Sequence, residues 1–165
     1  MPNEPKITIR RQRRRSLMMR AIPGGIEVYI PHHLREDDRI VRDFIAEGVA
    51  KLKGRIPDVP AEQTSRAQIK AMVADYAARM NVQASRVQFR EMTRKWGSCS
   101  EKGTVTLNTR LTWLAPDVVE YVVCHELAHL IELNHSPAFW AIVAHHMPDY
   151  QTRMHALRAA EKDLW

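Results

Sequence analysis

Three histidines and one glutamate in the C-terminal half have the residue types and spacing of a metal site. Residues 124–129 read Cys-His-Glu-Leu-Ala-His, so His125 and His129 are four apart and Glu126 directly follows the first. On a helix this spacing corresponds to about 40° of rotation and ~6 Å of rise, so both imidazoles can bind one ion. Glu126 can then lean over a water on that ion instead of binding the metal itself.

A third ligand requires the chain to turn after this helix. If the helix continued, Glu132 would share the stripe of His125 but lie about 10 Å along the axis, too far to bind the same ion. His135 reaches the ion only if the chain turns back before it. Asn134 tolerates a left-handed conformation, and Ser136-Pro137 is typical of a cap followed by the first residue of a new helix. The sequence therefore predicts such a turn.

Three neutral imidazoles with one open position are typical of a catalytic zinc site, whereas structural sites are closed. Zinc lowers the pKa of a bound water to about 7. Glu126 would accept the proton as the water attacks and pass it to the leaving group. We therefore predict a hydrolase with one Zn²⁺ held by His125, His129 and His135. The His-to-His spacing is that of HExxHxxGxxH enzymes, but Glu132 occupies the glycine position, which argues against a true metzincin.

The elements around the motif are predicted from apolar patterns. A buried helix begins at Pro116 and carries the motif. Two short strands precede it, near residues 87–91 and over 104–108, and we expect the second to be an edge strand that receives an extended peptide. Further upstream, one helix starts at Asp37 or Asp38 and ends near residue 53. After a polar connector over 54–64, a second begins at a Ser65/Gln68 capping box and ends near residue 81.

The basic character of the chain is concentrated at its N-terminus. The net charge is +6, and the first 20 residues hold seven basic side chains against one acidic side chain, so the remainder is balanced. Residues 7–22 and 26–30 resemble strands joined at Pro23-Gly24-Gly25, which predicts a hairpin. In this arm the arginines are expected to face solvent, while apolar residues face a core: Ile7, Ile9, Leu17 and Met19. Such an arm can attract phosphate or an acidic protein surface.

Composition excludes several classes of protein. A hydrophobic fraction of 45% is ordinary for a globular fold, and no stretch approaches the ~20 apolar residues of a membrane span. The N-terminus lacks a secretory h-region, so we expect a cytoplasmic protein. Two cysteines without CxxC spacing are expected to be reduced.

Several motifs together resemble the YgjP-like family of small zincin metallopeptidases, which is similar to the SprT-like and WLM families. They are Arg94-Lys95-Trp96-Gly97-Ser98-Cys99-Ser100, Leu107-Asn108, the HExxH segment, Asn134-His135-Ser136, Phe139-Trp140 and Met147-Pro148-Asp149-Tyr150. The resemblance implies an α+β, minimal zincin-like fold with a small β-sheet packed on the HExxH helix and an N-terminal β-hairpin. It implies a single domain over 1–165, with a basic arm over 1–31, scaffold helices over 37–81 and a catalytic core over 87–165.

The resemblance also supports His125, His129 and His135 as ligands and Glu126 as the catalytic residue. It places the loop from Trp96 to Ser100 beside the cleft, and the expected substrate contacts are Arg94, Trp96, Ser98 and Asn108. Phe139 and Trp140 are expected to pack behind the ligand loop. The oxyanion-stabilising residue stays open between Arg94, Tyr121 and Tyr150.

Three functions remain open at this stage. The first is hydrolysis of a peptide or protein. The second is hydrolysis of a nucleoside triphosphate at a phosphoanhydride bond, which is motivated by Arg90, Arg94 and Lys95 because arginine pairs with phosphate bidentately. The third is association with nucleic acid through the basic arm. The sequence does not indicate an oligomeric state.

Overall fold

The computed structural model describes residues 5–58 and 63–164. These residues form two compact units that divide between residues 58 and 63. Residues 1–4 of the predicted arm, residues 59–62 of the predicted connector and the last residue of the predicted core lie outside the described residues. None of the helices within the described ranges has the length and apolar character that a bilayer span requires.

The first unit is a three-stranded sheet followed by a helix. Its elements are β1 (Lys6–Gln12), β2 (Met18–Ile22), β3 (Gly25–Pro31), α1 (Arg39–Leu52) and a short 3-10 turn (Lys53–Arg55). β2 and β3 form the predicted hairpin, and Gly24 in its turn has a φ of 74°, which glycine adopts without strain. β1 pairs in parallel with the other side of β3, a pairing that the sequence pattern did not predict.

The core of the first unit consists of β-branched side chains from β3 and α1. It contains Ile26, Val28, Ile30 and Val41. The prediction that Ile9, Leu17 and Met19 face a core is confirmed, because all three pack against this cluster. The same prediction is wrong for Ile7, which is 42% exposed because it lies at a surface groove beside α1.

The arginines of the N-terminal arm do not all face solvent as predicted. Glu27 on β3 is only 3% exposed, and its two carboxylate oxygens accept hydrogen bonds from Arg10 Nε at 2.7 Å and Arg20 Nε at 2.9 Å. The Tyr29 hydroxyl donates to the same carboxylate at 2.7 Å and accepts from Arg20. A buried carboxylate needs such partners, and so it draws two arginines onto the sheet.

The second unit combines a three-stranded sheet with helices. Its elements are α2 (Arg66–Arg79), β4 (Arg86–Arg90), β5 (Gly97–Cys99), β6 (Thr104–Asn108), a 3-10 turn (Thr109–Trp113), α3 (Pro116–Ala128), α4 (Pro137–His146) and α5 (Tyr150–Leu164). β6 is central, parallel to β4 and antiparallel to β5. α3 packs against α2, α4 and β5. The predicted α+β class, with a small sheet packed on the HExxH helix, is confirmed.

The prediction that strand 104–108 is a free edge is wrong. Both sides of β6 are hydrogen-bonded, since β4 pairs with it from Arg86 to Arg90 and β5 pairs with it from Gly97 to Cys99. The segment from Trp96 to Ser100 was expected to be a loop, but its central residues form β5, which lies at an edge of this sheet.

Local sequence signals set several helix ends as predicted. The capping box is present, with Gln68 N donating to Ser65 Oγ and Ser65 N donating to the Gln68 side chain. Asp38 is the N-cap residue of α1, although its carboxylate accepts from Arg35 N instead of from the helix. The predicted scaffold helices α1 and α2 lie in different compact units. The single domain over residues 1–165 stays a prediction.

Candidate metal centre and catalytic cavity

The site is built on the C-terminal end of α3, which begins with Pro116 at its first turn. Most of this helix is buried, so the polar side chains of His125 and Glu126 are held among apolar neighbours. His129 is the C-cap residue, with φ −67° and ψ −13°, and the helix stops there. The end of the helix therefore presents both motif histidines, while Glu126 extends inward and is 6% exposed.

The turn after α3 brings the third histidine back to the helix. The Glu132 carbonyl lies 3.1 Å from His129 Nδ1, and the Glu132 carboxylate accepts from Asn134 N at 3.3 Å. The next helix begins as predicted, because Ser136 Oγ accepts from Phe139 N at 3.3 Å. Asn134 does not adopt the left-handed conformation that it can tolerate. Among the non-glycine residues that the structure describes, a positive φ occurs at Asn81. Hydrogen bonds of the helical i→i+3 and i→i+4 type continue from Leu127 to Glu132, and the chain returns His135 to the helix after them.

The three histidines converge as the spacing predicted. One nitrogen from each of His125, His129 and His135 can be chosen so that all three lie within 4.8 Å of one another. The Nε2 atoms of His125 and His135 are 3.0 Å apart. His129 Nδ1 faces the Glu132 carbonyl, which leaves Nε2 of the same ring available for a metal. A backbone carbonyl in this position orients the imidazole of a metal-binding histidine.

The protonation of these histidines suits metal binding. Burial, together with the neighbouring charges of His129 and His135, lowers the pKa of His125 to about 4. Burial also lowers the pKa of His129. Both shifts favour the neutral imidazole in His125 and His129, which is the form that binds a metal. Three histidine nitrogens are a donor set that zinc accepts, so the residues present fit the ion.

Glu126 lies under the edge strand of the second sheet. A Cβ atom built at Gly97 would lie 2.5 Å from both Cγ and Oε1 of Glu126, so the backbone of β5 rests directly on this carboxylate. Burial raises the pKa of Glu126 to about 7, and the charge of Lys95 opposes part of the rise. A carboxyl group with a pKa near neutrality can both accept and return a proton.

Aromatic side chains from α4 support the ligands, as expected for Phe139 and Trp140. Phe139 is fully buried, and its ring centroid lies 4.5 Å from that of His129 and 4.9 Å from that of His125. Trp140 lies 5.8 Å from His135 and stacks on Tyr150 at 5.5 Å. These rings hold the imidazoles in position from the side of α4.

A cavity of about 220 Å³ opens beside His125 and Glu126, and we call it the catalytic cavity. Its other walls come from β5, from α3 one turn before the motif, and from α5. They are Lys95, Trp96, Gly97, Tyr121, Val122, Leu157 and Glu161. The Trp96 indole N–H donates to Glu161 Oε1 at 2.9 Å, which fixes the loop before β5 to α5.

The residues expected to contact substrate lie in different settings. Trp96 lines the catalytic cavity, Ser98 lies in the edge strand β5, and Arg94 is exposed at a neighbouring cavity. Asn108 is fully buried, and its amide donates to the carbonyls of Met92 and Lys95 at 2.9 and 2.7 Å. This geometry indicates that Asn108 positions the loop before β5, and it argues against the expected contact between Asn108 and the substrate.

The three candidate oxyanion residues are also separated. Tyr121 lines the catalytic cavity and contacts His125 edge-on, with ring centroids 5.9 Å apart. Burial raises the pKa of Tyr121 to about 12, so it remains a hydrogen-bond donor at neutral pH. Tyr150 stacks behind Trp140, and Arg94 lines the neighbouring cavity.

Two contributors to this site had no role in the sequence interpretation. Gly97 belongs to the Arg94–Ser100 motif, but its contact with Glu126 depends on how β5 packs on α3. Glu161 gave no signal, because it lies 65 residues from Trp96 in an ordinary amphipathic helix. No local pattern could have joined these residues to the histidines.

This arrangement of a histidine triad, a buried glutamate and an adjacent cavity defines the class of metallohydrolases. Comparison with known proteins gives the family: the YgjP-like metallopeptidase domain matches residues 58–160. The match covers more than half of the chain, so this protein belongs to the YgjP-like family. Membership identifies it as an enzyme, a metallohydrolase of the zinc metallopeptidase class.

The fold resembles that of one solved structure at low sequence identity, and a second structure is similar to a lesser degree. The metallopeptidase zymogen abylysin of Pyrococcus abyssi is 23% identical, with a TM-score of 0.52 over 56% of this chain and 93% of that chain. The metallopeptidase zymogen jannalysin of Methanocaldococcus jannaschii is 22% identical, with a TM-score of 0.49 over 57% of this chain and 95% of that chain. No curated protein sequence matches the chain.

Proposed function

We propose that this protein is a zinc-dependent peptidase in which His125, His129 and His135 hold one zinc ion and Glu126 is the general base. The observation that carries the proposal is the convergence of three imidazole nitrogens within 4.8 Å beside a buried carboxylate. When bound, zinc supplies Lewis-acid activation of water and of the substrate carbonyl. The remaining work belongs to side chains of this chain.

Glu126 moves the proton in the proposed mechanism. Its carboxylate accepts a proton from the attacking water and returns it to the leaving amine nitrogen. A raised pKa makes both transfers accessible at neutral pH. The Gly97 backbone limits the space in which the carboxylate can swing, which keeps it pointed at one reaction volume. Tyr121 is the oxyanion donor favoured by position among the three candidates.

The substrate is proposed to add to the edge of the sheet. β6 is paired on both sides, whereas β5 lies at an edge of the sheet, with β6 as its partner on one side among the described strands. β5 also borders the catalytic cavity. An extended peptide that paired with residues 97–99 would run past Glu126 and the histidines. Main-chain hydrogen bonds would then supply affinity, and the cavity would take one side chain.

The test separates metal binding from turnover. Glu126→Gln should retain the metal and lose about 10²- to 10⁴-fold in kcat, the range for losing a general base. His129→Ala should lose metal affinity as well. The matched controls are the exposed Glu101→Gln and His32→Ala, which should behave as wild type in both assays. Metal content by atomic emission and cleavage of a denatured protein substrate provide the two readouts.

The outcomes of this experiment bear on different parts of the proposal. If Glu126→Gln cleaved at the wild-type rate, the role of the base would be refuted. If His129→Ala bound zinc as tightly as wild type, the ligand set would be wrong. The nucleotide and nucleic-acid alternatives stay predictions. Among the arm's arginines, Arg10, Arg11, Arg13 and Arg15 are exposed, and Arg10 and Arg20 are paired with Glu27.

A further inference from the structure

A second cavity adjoins the catalytic cavity, and the two share Glu161. It is formed by the loop before β5 and the last turns of α5, with Thr93, Arg94, Arg158, Glu161 and Lys162 in its walls. Three of these five side chains are cations and one is an anion. Lys95, next in sequence to Arg94, lines the catalytic cavity itself. A path from the catalytic residues to the outer cavity is therefore bordered by four cations.

The carboxylate that the two cavities share is already engaged. Glu161 Oε1 accepts the Trp96 indole N–H at 2.9 Å, so one oxygen is committed to holding the loop. With Glu126 of the catalytic cavity, two carboxylates face four cations, so the walls of the two cavities keep a net positive charge. Exposed positive groups around a cleft raise the local concentration of anionic ligands.

The charges reach the catalytic cavity. Lys95 lines the catalytic cavity together with Glu126, and Arg158 lines the outer cavity together with Glu161, which both cavities share. These two cations therefore lie in the walls of the two adjoining cavities, beside a substrate bound against Glu126. Arg158 and Lys162 are four residues apart on α5, so they lie on one face of that helix.

We propose that Arg94, Lys95, Arg158 and Lys162 form a cationic rim that selects peptide substrates carrying a carboxylate next to the scissile bond, on the side that leads from the catalytic cavity to α5. This inference rests on the proposed peptidase function and specifies its substrate class. The carboxylate can come from an acidic side chain or from a free C-terminus. A peptide is favoured over a polyphosphate because the catalytic cavity is bordered by the edge strand β5, with which an extended peptide backbone can pair.

The size of the preference follows from the exposure of the rim. An exposed ion pair contributes only a modest attraction, equivalent to about a 1.5- to 5-fold change in binding per charge. Removing two rim charges should therefore reduce the preference for an acidic peptide about two- to 25-fold. The preference should also weaken as salt rises, because the rim is solvent-exposed.

The experiment uses matched peptides and matched variants of the full chain loaded with zinc. One pair of fluorogenic peptides differs only by Glu or Gln after the scissile bond, and a second pair differs by a free or amidated C-terminus. The double variant Arg158→Gln, Lys162→Gln is compared with wild type and with Lys70→Gln, an exposed charge removed from α2. Binding of the same peptides to Glu126→Gln is followed by fluorescence anisotropy, so the preference is read without turnover.

We expect wild type and Lys70→Gln to cleave the carboxylate-bearing peptide of at least one pair with the higher kcat/KM, and the double variant to lose that preference. Glu126→Gln should bind the same peptide more tightly than its matched partner. Equal kcat/KM for both members of each pair, with cleavage intact, would overturn the rim while leaving the peptidase proposal standing. Absence of cleavage of every peptide by wild type would instead count against the peptidase proposal. Tighter binding of ATP or an oligonucleotide than of the acidic peptides, lost in the double variant, would overturn the assignment to peptides.

Discussion

The close approach of β5 to the catalytic carboxylate gives the sharpest prediction, for Gly97→Ala. The added methyl group would stand 2.5 Å from Cγ and Oε1 of Glu126, whereas non-bonded carbon contacts lie at about 3.5–4.0 Å. The carboxylate must therefore move by about 1 Å, because β5 is held by pairing with β6 on its other side. A displacement of about 1 Å at a reacting group can cost roughly 100-fold in rate.

We therefore expect Gly97→Ala to lower kcat about 100-fold, equivalent to about 2.7 kcal/mol of transition-state stabilisation. Zinc content should be unchanged, since the clash falls on Glu126 and not on the histidines. The matched control is Gly54→Ala, where an added Cβ meets nothing within 4 Å and the rate should be that of wild type. Thermal unfolding of each variant checks that the fold is retained.

A double-mutant cycle tests the cause of the loss. If Gly97→Ala acts by displacing the carboxylate, adding it to Glu126→Gln should change the residual rate little, because the base is already absent. Additive losses in the double variant would refute this explanation. A wild-type rate in Gly97→Ala alone, with the fold intact, would refute the geometry of the contact.

Two further predictions concern the stability of the two compact units. Glu27→Gln should destabilise the protein by about 2 kcal/mol near neutral pH, because it removes the charge that Arg10 and Arg20 share. Burial alone would raise the pKa of Glu27, but hydrogen bonds from Tyr29 and Arg20 and the charge of Arg20 outweigh it, and the pKa is lowered. The contribution of Glu27 to stability is therefore complete above its unfolded-state pKa and is lost as pH falls through its folded-state pKa. In urea unfolding, the difference in stability between wild type and Glu27→Gln should therefore shrink in acid. A difference that stayed constant with pH would contradict this. Asn108→Asp should cost about 1–3 kcal/mol in the same assay, since a carboxylate cannot donate to the Met92 and Lys95 carbonyls; unchanged stability would contradict the role of these hydrogen bonds.

The parts of the structure that follow from local rules were predictable from the sequence. The capping box at Ser65, the helix start at Pro116 and the cap at Ser136 each depend on interactions within about four residues, so the sequence contains all the information needed. The convergence of the three histidines belongs to the same category. His125 and His129 share a helix face, and the turn that returns His135 is completed by nearby residues.

The parts that failed depend on pairing across long sequence separations. Alternation of apolar residues predicts that 104–108 is a strand, but the period is the same for an edge strand and a central strand. The parallel pairing of β1 with β3 also produces no local sequence pattern, because β2 lies between these two strands in the sequence. The pairing of Arg10 and Arg20 was not predicted, because the buried acid that binds both of them, Glu27, lies on a third strand.

The two halves of the catalytic machinery consequently differ in how they are specified. The proposed metal ligands are positioned by α3 and the turn that follows it, so a short motif is sufficient to predict them. The position of the base depends on β5, whose own position depends on pairing with β6 and on the Asn108 amide that holds the preceding loop. A substitution in the loop or strand can therefore abolish proton transfer while leaving the motif and its metal intact. Chains of this family that retain HExxH but carry a larger residue in place of Gly97 would then be expected to bind zinc without efficient turnover.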